Sequence, residues 1–111
     1  MYSSLIECLV NCVSACDSCI KNAGHGGIEL AEMVKRCNDC MFICDMISNR
    51  LKYNIISHDT LMKCLKLCIY ACKKCRNECL IFEDFLGIYI DCAQMCGLCI
   101  IECNNIIYKN K

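Results

Sequence analysis

Proline is absent from the 111 residues, so no ring interrupts a helix anywhere along the chain. Tryptophan is absent too, and three Phe and five Tyr make up the aromatic complement. A core of ordinary aromatic bulk is thereby excluded, and another residue must occupy that volume. Neither sign of charge is in excess, because twelve basic residues offset twelve acidic ones. That balance gives no reason to expect a nucleic-acid or anionic-membrane partner. The opening MYSSLIECLVNC lacks a basic start, a small-residue cleavage site and a twin-arginine pair, the marks of export signals. Charged or amide residues interrupt every helix-sized window, so no bilayer-spanning run is expected either. The expectation from these absences is a cytoplasmic protein without a membrane segment.

What the chain has is cysteine, sixteen of them. In a reducing cytosol thiols stay free, so they read as metal ligands or redox groups before they read as disulfide staples. Their spacing is helical. In KCLKLCIYACKKCRNEC, residues 63–79, five cysteines recur at steps of four, four, three and four. At about 100° per residue they fall within an arc of about 80° on one helix face.

The same periodicity divides the chain into four helices. The first covers about Tyr2 to Asn22 and carries Cys8, Cys12, Cys16 and Cys19, and the glycine-rich AGHGG at 23–27 stops it. The second, about Ile28 to Tyr53, carries Cys37, Cys40 and Cys44. Ser57 or Asp59 can cap the third, which runs from about Thr60 to Phe82 with Cys64, Cys68, Cys72, Cys75 and Cys79. The fourth, about Phe85 to Tyr108, carries Cys92, Cys96, Cys99 and Cys103. An internal repeat supports the division: ECLVNCVSACDSC at Glu7–Cys19 aligns with KCLKLCIYACKKC at Lys63–Cys75. MVKRCNDCMFIC at Met33–Cys44 likewise aligns with CAQMCGLCIIEC at Cys92–Cys103, with Met33 in the place of Cys92. The expected fold is therefore all-α, a single domain over residues 1–111: an antiparallel four-helix bundle built from a duplicated helical hairpin.

On the first helix Glu7, Asn11, Ser14, Ser18 and Lys21 occupy the polar arc, which must be the wet one, so the cysteines face the bundle interior. Leu5, Leu9, Val13, Ile6 and Val10 beside them, with Met62, Leu65, Ile69 and Leu80 on the third helix, make an apolar seam wider than one core needs. A further interface between identical subunits is expected.

Such a tube of thiols suits metal better than disulfides. Residues at i and i+4 have Cβ atoms about 5–6 Å apart, too far for a good disulfide, which wants about 3.5–4.5 Å. A metal ion bridging two thiolates needs sulfurs about 4.5 Å apart, which χ1 rotation supplies. Thiolate suits Cu(I), zinc and iron–sulfur clusters. The helices contribute four, three, five and four cysteines, with no natural division into the isolated tetrads that zinc and clusters use. Charge decides further. Sixteen thiolates in a dry core are neutralised by about sixteen Cu⁺, whereas two thiolates per ion leave about eight negative charges. The expectation is multiple Cu(I) ions per chain, above about eight.

These C-x-x-x-C and C-x-x-C steps on four helices resemble the cytosolic bacterial copper storage proteins over essentially the whole chain. The resemblance implies Cu(I) held by thiols along the bundle interior and assembly into homotetramers. The second helix departs from the pattern in having only three cysteines. Two other readings stand beside copper storage: an iron–sulfur electron-transfer protein, and a zinc or thiol redox buffer. A C-x-x-C enzyme is disfavoured because such motifs gain reactivity at a helix N-terminus beside a strand, whereas Cys16/Cys19, Cys37/Cys40, Cys72/Cys75 and Cys96/Cys99 lie inside helices. Met33 and Met41 share the face of Cys37 and are either core packing or thioether ligands. His25 and His58 fall in loops at opposite ends, either solvated or transient copper contacts. Lys63, Lys66, Lys73, Lys74 and Arg76 read as solvated, and Gly97 as permitting close helix packing.

Overall fold

The computed structural model describes residues 2–23 and 27–110. They form α1 (Ser3–Ala23), a single 3₁₀ turn (Ile28–Leu30), α2 (Ala31–Lys52), α3 (His58–Ile81) and α4 (Gly87–Lys109), with no strand among the described residues. Each helix packs on its two neighbours in the ring α1–α2–α3–α4, and α4 returns to α1, while the diagonal pairs touch little. Short connections between successive helices make this an antiparallel bundle, with extents of 41 × 23 × 19 Å.

Local chemistry sets the helix ends. Gly27 adopts φ 74°, a left-handed conformation natural to glycine, just before the 3₁₀ turn. Positions 24–26, with His25 among them, lie outside the described residues. The chain leaves α2 through Asn54, at φ 55°. There the Ile55 N–H donates to Arg50 O (2.9 Å) and the Asn54 N–H to Leu51 O (3.2 Å), the paired closure of a Schellman motif. Of the two expected caps for α3, Ser57 takes the role: its hydroxyl accepts from the Thr60 N–H at 3.3 Å. His58 is accordingly the first residue of α3 and not a loop residue. α4 begins at Gly87, two residues later than expected, because Phe82–Phe85 close a turn through Phe85 N–H to Phe82 O (2.9 Å) and Leu86 is extended.

One expectation fails and another is narrowed. Gly97 is not required by close packing, since a Cβ built there meets nothing within 4 Å. Charged and amide residues do interrupt the windows of α1 (Glu7, Asn11, Asp17) and α4 (Asp91, Gln94, Glu102), yet by length and mean composition both helices are apolar enough to cross a membrane. Cysteine is the physical reason. It counts as apolar, and in both helices the cysteine face turns into the bundle.

Fifteen of the sixteen cysteines are buried, and Cys8 is half-buried. Leu5, Leu9, Ile47, Leu61 and Leu65 fill the interior toward the end holding the α1 N-terminus. Met33, Leu30, Ala23 and Tyr89 fill it toward the opposite end. Burying each large side chain contributes about 1.5–3 kcal/mol, so the two ends hold the bundle together around a middle made largely of small thiols. The wide seam divides as expected: Leu5, Leu9 and Leu65 enter the core, whereas Val10 and Leu80 remain 40% and 39% exposed.

Candidate metal centre

Antiparallel packing sets the four cysteine stripes at matching heights. Five sets of four buried cysteines have all sulfurs within 4.8 Å of one another and can each hold a metal ion. From the Tyr89 end they are Cys19/Cys37/Cys79/Cys92, then Cys16/Cys37/Cys75/Cys92, Cys12/Cys16/Cys40/Cys96, Cys12/Cys40/Cys44/Cys72 and Cys44/Cys68/Cys72/Cys99. Thirteen cysteines enter these sets. Cys8, Cys64 and Cys103 do not, and lie beyond them toward the other end.

Sulfur separations show how ions can be held. Cys12 meets Cys40 at 3.6 Å and Cys96 at 3.7 Å, Cys37 meets Cys75 at 3.6 Å, Cys40 meets Cys72 at 3.6 Å, and Cys68 meets Cys99 at 3.8 Å. Among the described residues the sulfur pairs within 4.0 Å join different helices, with Cys68 and Cys72 (3.9 Å, i and i+4) the exception. Helical spacing picked out pairs along one helix, yet packing brings pairs across helices closer. With metal–sulfur bonds of about 2.3 Å, a three-coordinate ion needs sulfurs about 4 Å apart and a linear one about 4.6 Å. The column as it stands therefore suits three sulfurs per ion, or four at the about 3.8 Å of a tetrahedral site, without large rearrangement, and two with a small opening.

The division into fours also differs from expectation. Three of the sets, Cys19/Cys37/Cys79/Cys92, Cys12/Cys16/Cys40/Cys96 and Cys44/Cys68/Cys72/Cys99, share no member. Seven cysteines nevertheless belong to two sets each, namely Cys12, Cys16, Cys37, Cys40, Cys44, Cys72 and Cys92. The sulfurs thus form one continuous column and not separate pockets. Sulfurs this close suit bare ions as they stand, whereas a cluster bringing its own sulfides would need the thiols to spread apart.

Proton affinities differ among the thiols of the column. Cys16 is held above the ordinary thiol value by its neighbouring thiols Cys12, Cys37, Cys40 and Cys75, and Cys72 by Cys12, Cys40, Cys44 and Cys68. Cys40 is held below it by the neighbouring thiols Cys12, Cys16, Cys44 and Cys72, Cys68 by Cys103, Cys44, Cys72 and Cys99, and Cys92 by Cys16, Cys19, Cys37 and Cys75. Cys79 is lowered to about 5 by the Cys19, Cys37 and Cys75 thiols. Burial pushes Cys8 up, with Cys99 and the Glu102 and Glu7 carboxylates adding. A thiolate formed at Cys40, Cys68 or Cys92 is surrounded by S–H donors, which favour its ionised form.

The other singled-out residues separate. Met33 is fully buried one turn before Cys37, while Met41 is half-buried and lines a groove between α1 and α2. His58 is exposed at the start of α3. Lys63, Lys66 and Lys73 are exposed as expected, whereas Lys74 lies over the Tyr70 ring at 5.5 Å. Sequence reasoning missed Tyr89, which is fully buried. Its signal was present, since a residue three before Cys92 falls on the cysteine face of α4. Burial pushes its phenol up, with Cys19, Cys79 and Cys37 adding.

No curated protein and no solved structure matches the chain. A family model described as copper storage protein matches residues 1–108, nearly the whole chain and all sixteen cysteines. With that match over a buried column of thiols, the chain belongs to the copper storage protein family.

Proposed function

We propose that the protein stores copper as Cu(I) in the cytoplasm, with all sixteen cysteines as ligands and no catalytic role. The observation that carries this reading is the sharing of sulfurs between successive sets, which lets neighbouring ions be bridged by common thiolates. Bridging is what a ratio near one ion per thiolate requires, and that ratio leaves the dry core neutral. Thiolate softness favours Cu(I) over harder ions. The C-x-x-C pairs are buried on helices, out of reach of a protein disulfide, which supports storage over thiol–disulfide exchange.

Zinc is the second reading, favoured by the three tetrads without common members. A Zn²⁺ bound by four thiolates keeps two negative charges, however, and three such sites place about six in the interior. Anaerobic titration with Cu(I) against a competing chelator separates the readings: the storage protein takes up more than about eight tight equivalents per chain. Saturation at about four or fewer contradicts it.

We also propose that the chain acts as one domain and assembles with copies of itself, a tetramer being what the family resemblance implies. Supporting this, a groove of about 870 Å³ between α1 and α2 is lined by Val10, Val13, Met41 and Phe42 and flanked by Asp17, Asp39 and Asp45. Phe42 there is 71% exposed, an apolar area that a second copy would cover.

A further inference from the structure

One polar atom in the interior has no explanation in the bundle itself. The Tyr89 hydroxyl is buried without a hydrogen-bond partner, and the residue as a whole has no exposed surface. Its ring is held from the α3–α4 connection by Phe82, with centroids 6.2 Å apart, and Phe85, 6.4 Å apart. A phenylalanine would make those contacts equally well, so packing does not account for the oxygen. Buried hydroxyls ordinarily find a partner. Tyr89 lies one turn before Cys92 on the cysteine face of α4 and follows Ile88, whose carbonyl accepts from Cys19 Sγ. The thiols whose charge reaches the hydroxyl are Cys19, Cys79 and Cys37.

Those three cysteines, with Cys92, form the set at this end of the column. In the metal-free state Cys19 Sγ donates to Ile88 O at 3.6 Å, and neutral thiols are weak acceptors. Copper changes the acceptor. When an ion binds, each ligating thiol gives its proton to solvent and becomes a thiolate, a strong acceptor that gains from a nearby donor. The phenol keeps its own proton and is too hard an oxygen to serve as a Cu(I) ligand. Resting on the copper-storage reading, we infer that the Tyr89 hydroxyl donates a hydrogen bond to the thiolates that hold copper at its own end of the column, tightening the ions bound by Cys19, Cys37, Cys79 and Cys92. Tyr89 is thus a positioning residue that acts through these sulfurs. Its partner is present only when that end is loaded.

The test is Tyr89→Phe in the full chain. The metal-free variant keeps the wild-type helicity and melts at the same temperature or higher, because an unpartnered buried hydroxyl has been removed. Anaerobic Cu(I) titration against a chelator gives the same total number of ions, with a small subset weakened about tenfold. Ultraviolet resonance Raman on wild type shows one phenol becoming a stronger donor on loading, and the variant lacks the change. The half-buried Tyr2 and exposed Tyr53, Tyr70 and Tyr108 do not contribute to it. An identical titration curve and absence of a loading-dependent phenol signal in wild type overturn the inference, as does uniform weakening of every ion with a lowered metal-free melting temperature. If wild type itself saturates at about four ions or fewer, the storage reading has failed first, a result distinguishable from any of these.

Discussion

At the scale of single residues the column is defined by who shares sulfurs with whom. Cys72 belongs to two sets and Cys103 to none, so Cys72→Ala should remove about two or three ions and Cys103→Ala about one. Equal losses, counted by anaerobic titration, would show that the column does not bridge ions as its geometry suggests. The protons give an independent handle. Cys16 and Cys72 are raised above the ordinary thiol value of 9.0, so the stability they contribute is fully present below pH 9 and is lost as pH rises beyond it. Cys40, Cys68 and Cys92 are lowered; above pH 9 they are ionised folded or unfolded and add no slope. The melting temperature of the metal-free protein should therefore fall as pH rises above 9, whereas the copper-loaded protein, whose ligating thiols carry no proton, should show no such fall. A flat metal-free profile above that pH would count against the raised thiols. That every cysteine points inward was legible in the sequence, because the polar arc of α1 left them only one direction. Which cysteine meets which was not, since Cys12–Cys40 and Cys37–Cys75 depend on the axial register of separate helices, and spacing along one helix carries no information on it.

At the scale of the helix, stops and caps were partly readable. Ser57 was a candidate cap and is the cap. Ser57→Ala should cost about 1 kcal/mol in chemical denaturation. The closure of α2 was not readable, because Asn54 in a left-handed conformation has no strong sequence signal beside the glycines that usually hold that place. Gly97 misled in the other direction. A helical glycine suggests close approach, yet open space surrounds it, so Gly97→Ala should stabilise the protein by about 0.5–1 kcal/mol through helix propensity. Destabilisation by that change would reveal a packing constraint, such as a subunit contact over this face of α4. The apolar character of α1 and α4 was underestimated for a related reason: cysteine makes a helix apolar while reserving that surface for its neighbours.

At the scale of the whole molecule, two well-packed ends enclose a middle of small, soft side chains. Neutral thiols are tolerable in a dry core, so the bundle is expected to fold before metal arrives and copper to stabilise it by binding the folded state. The metal-free chain should consequently show full helical content, and its melting temperature should climb with each increment of Cu(I). A metal-free chain that is largely unfolded would make copper a folding cofactor and not a stored cargo. Size-exclusion chromatography with light scattering should report an assembly larger than one chain, with Phe42→Glu shifting it toward the monomer. The most direct measurement is native mass spectrometry of the protein loaded anaerobically with Cu(I), which counts ions per chain. A series of species extending past about eight ions toward one per thiolate is predicted by charge neutrality in the column; a single species with about three ions, one for each separate tetrad, would contradict it.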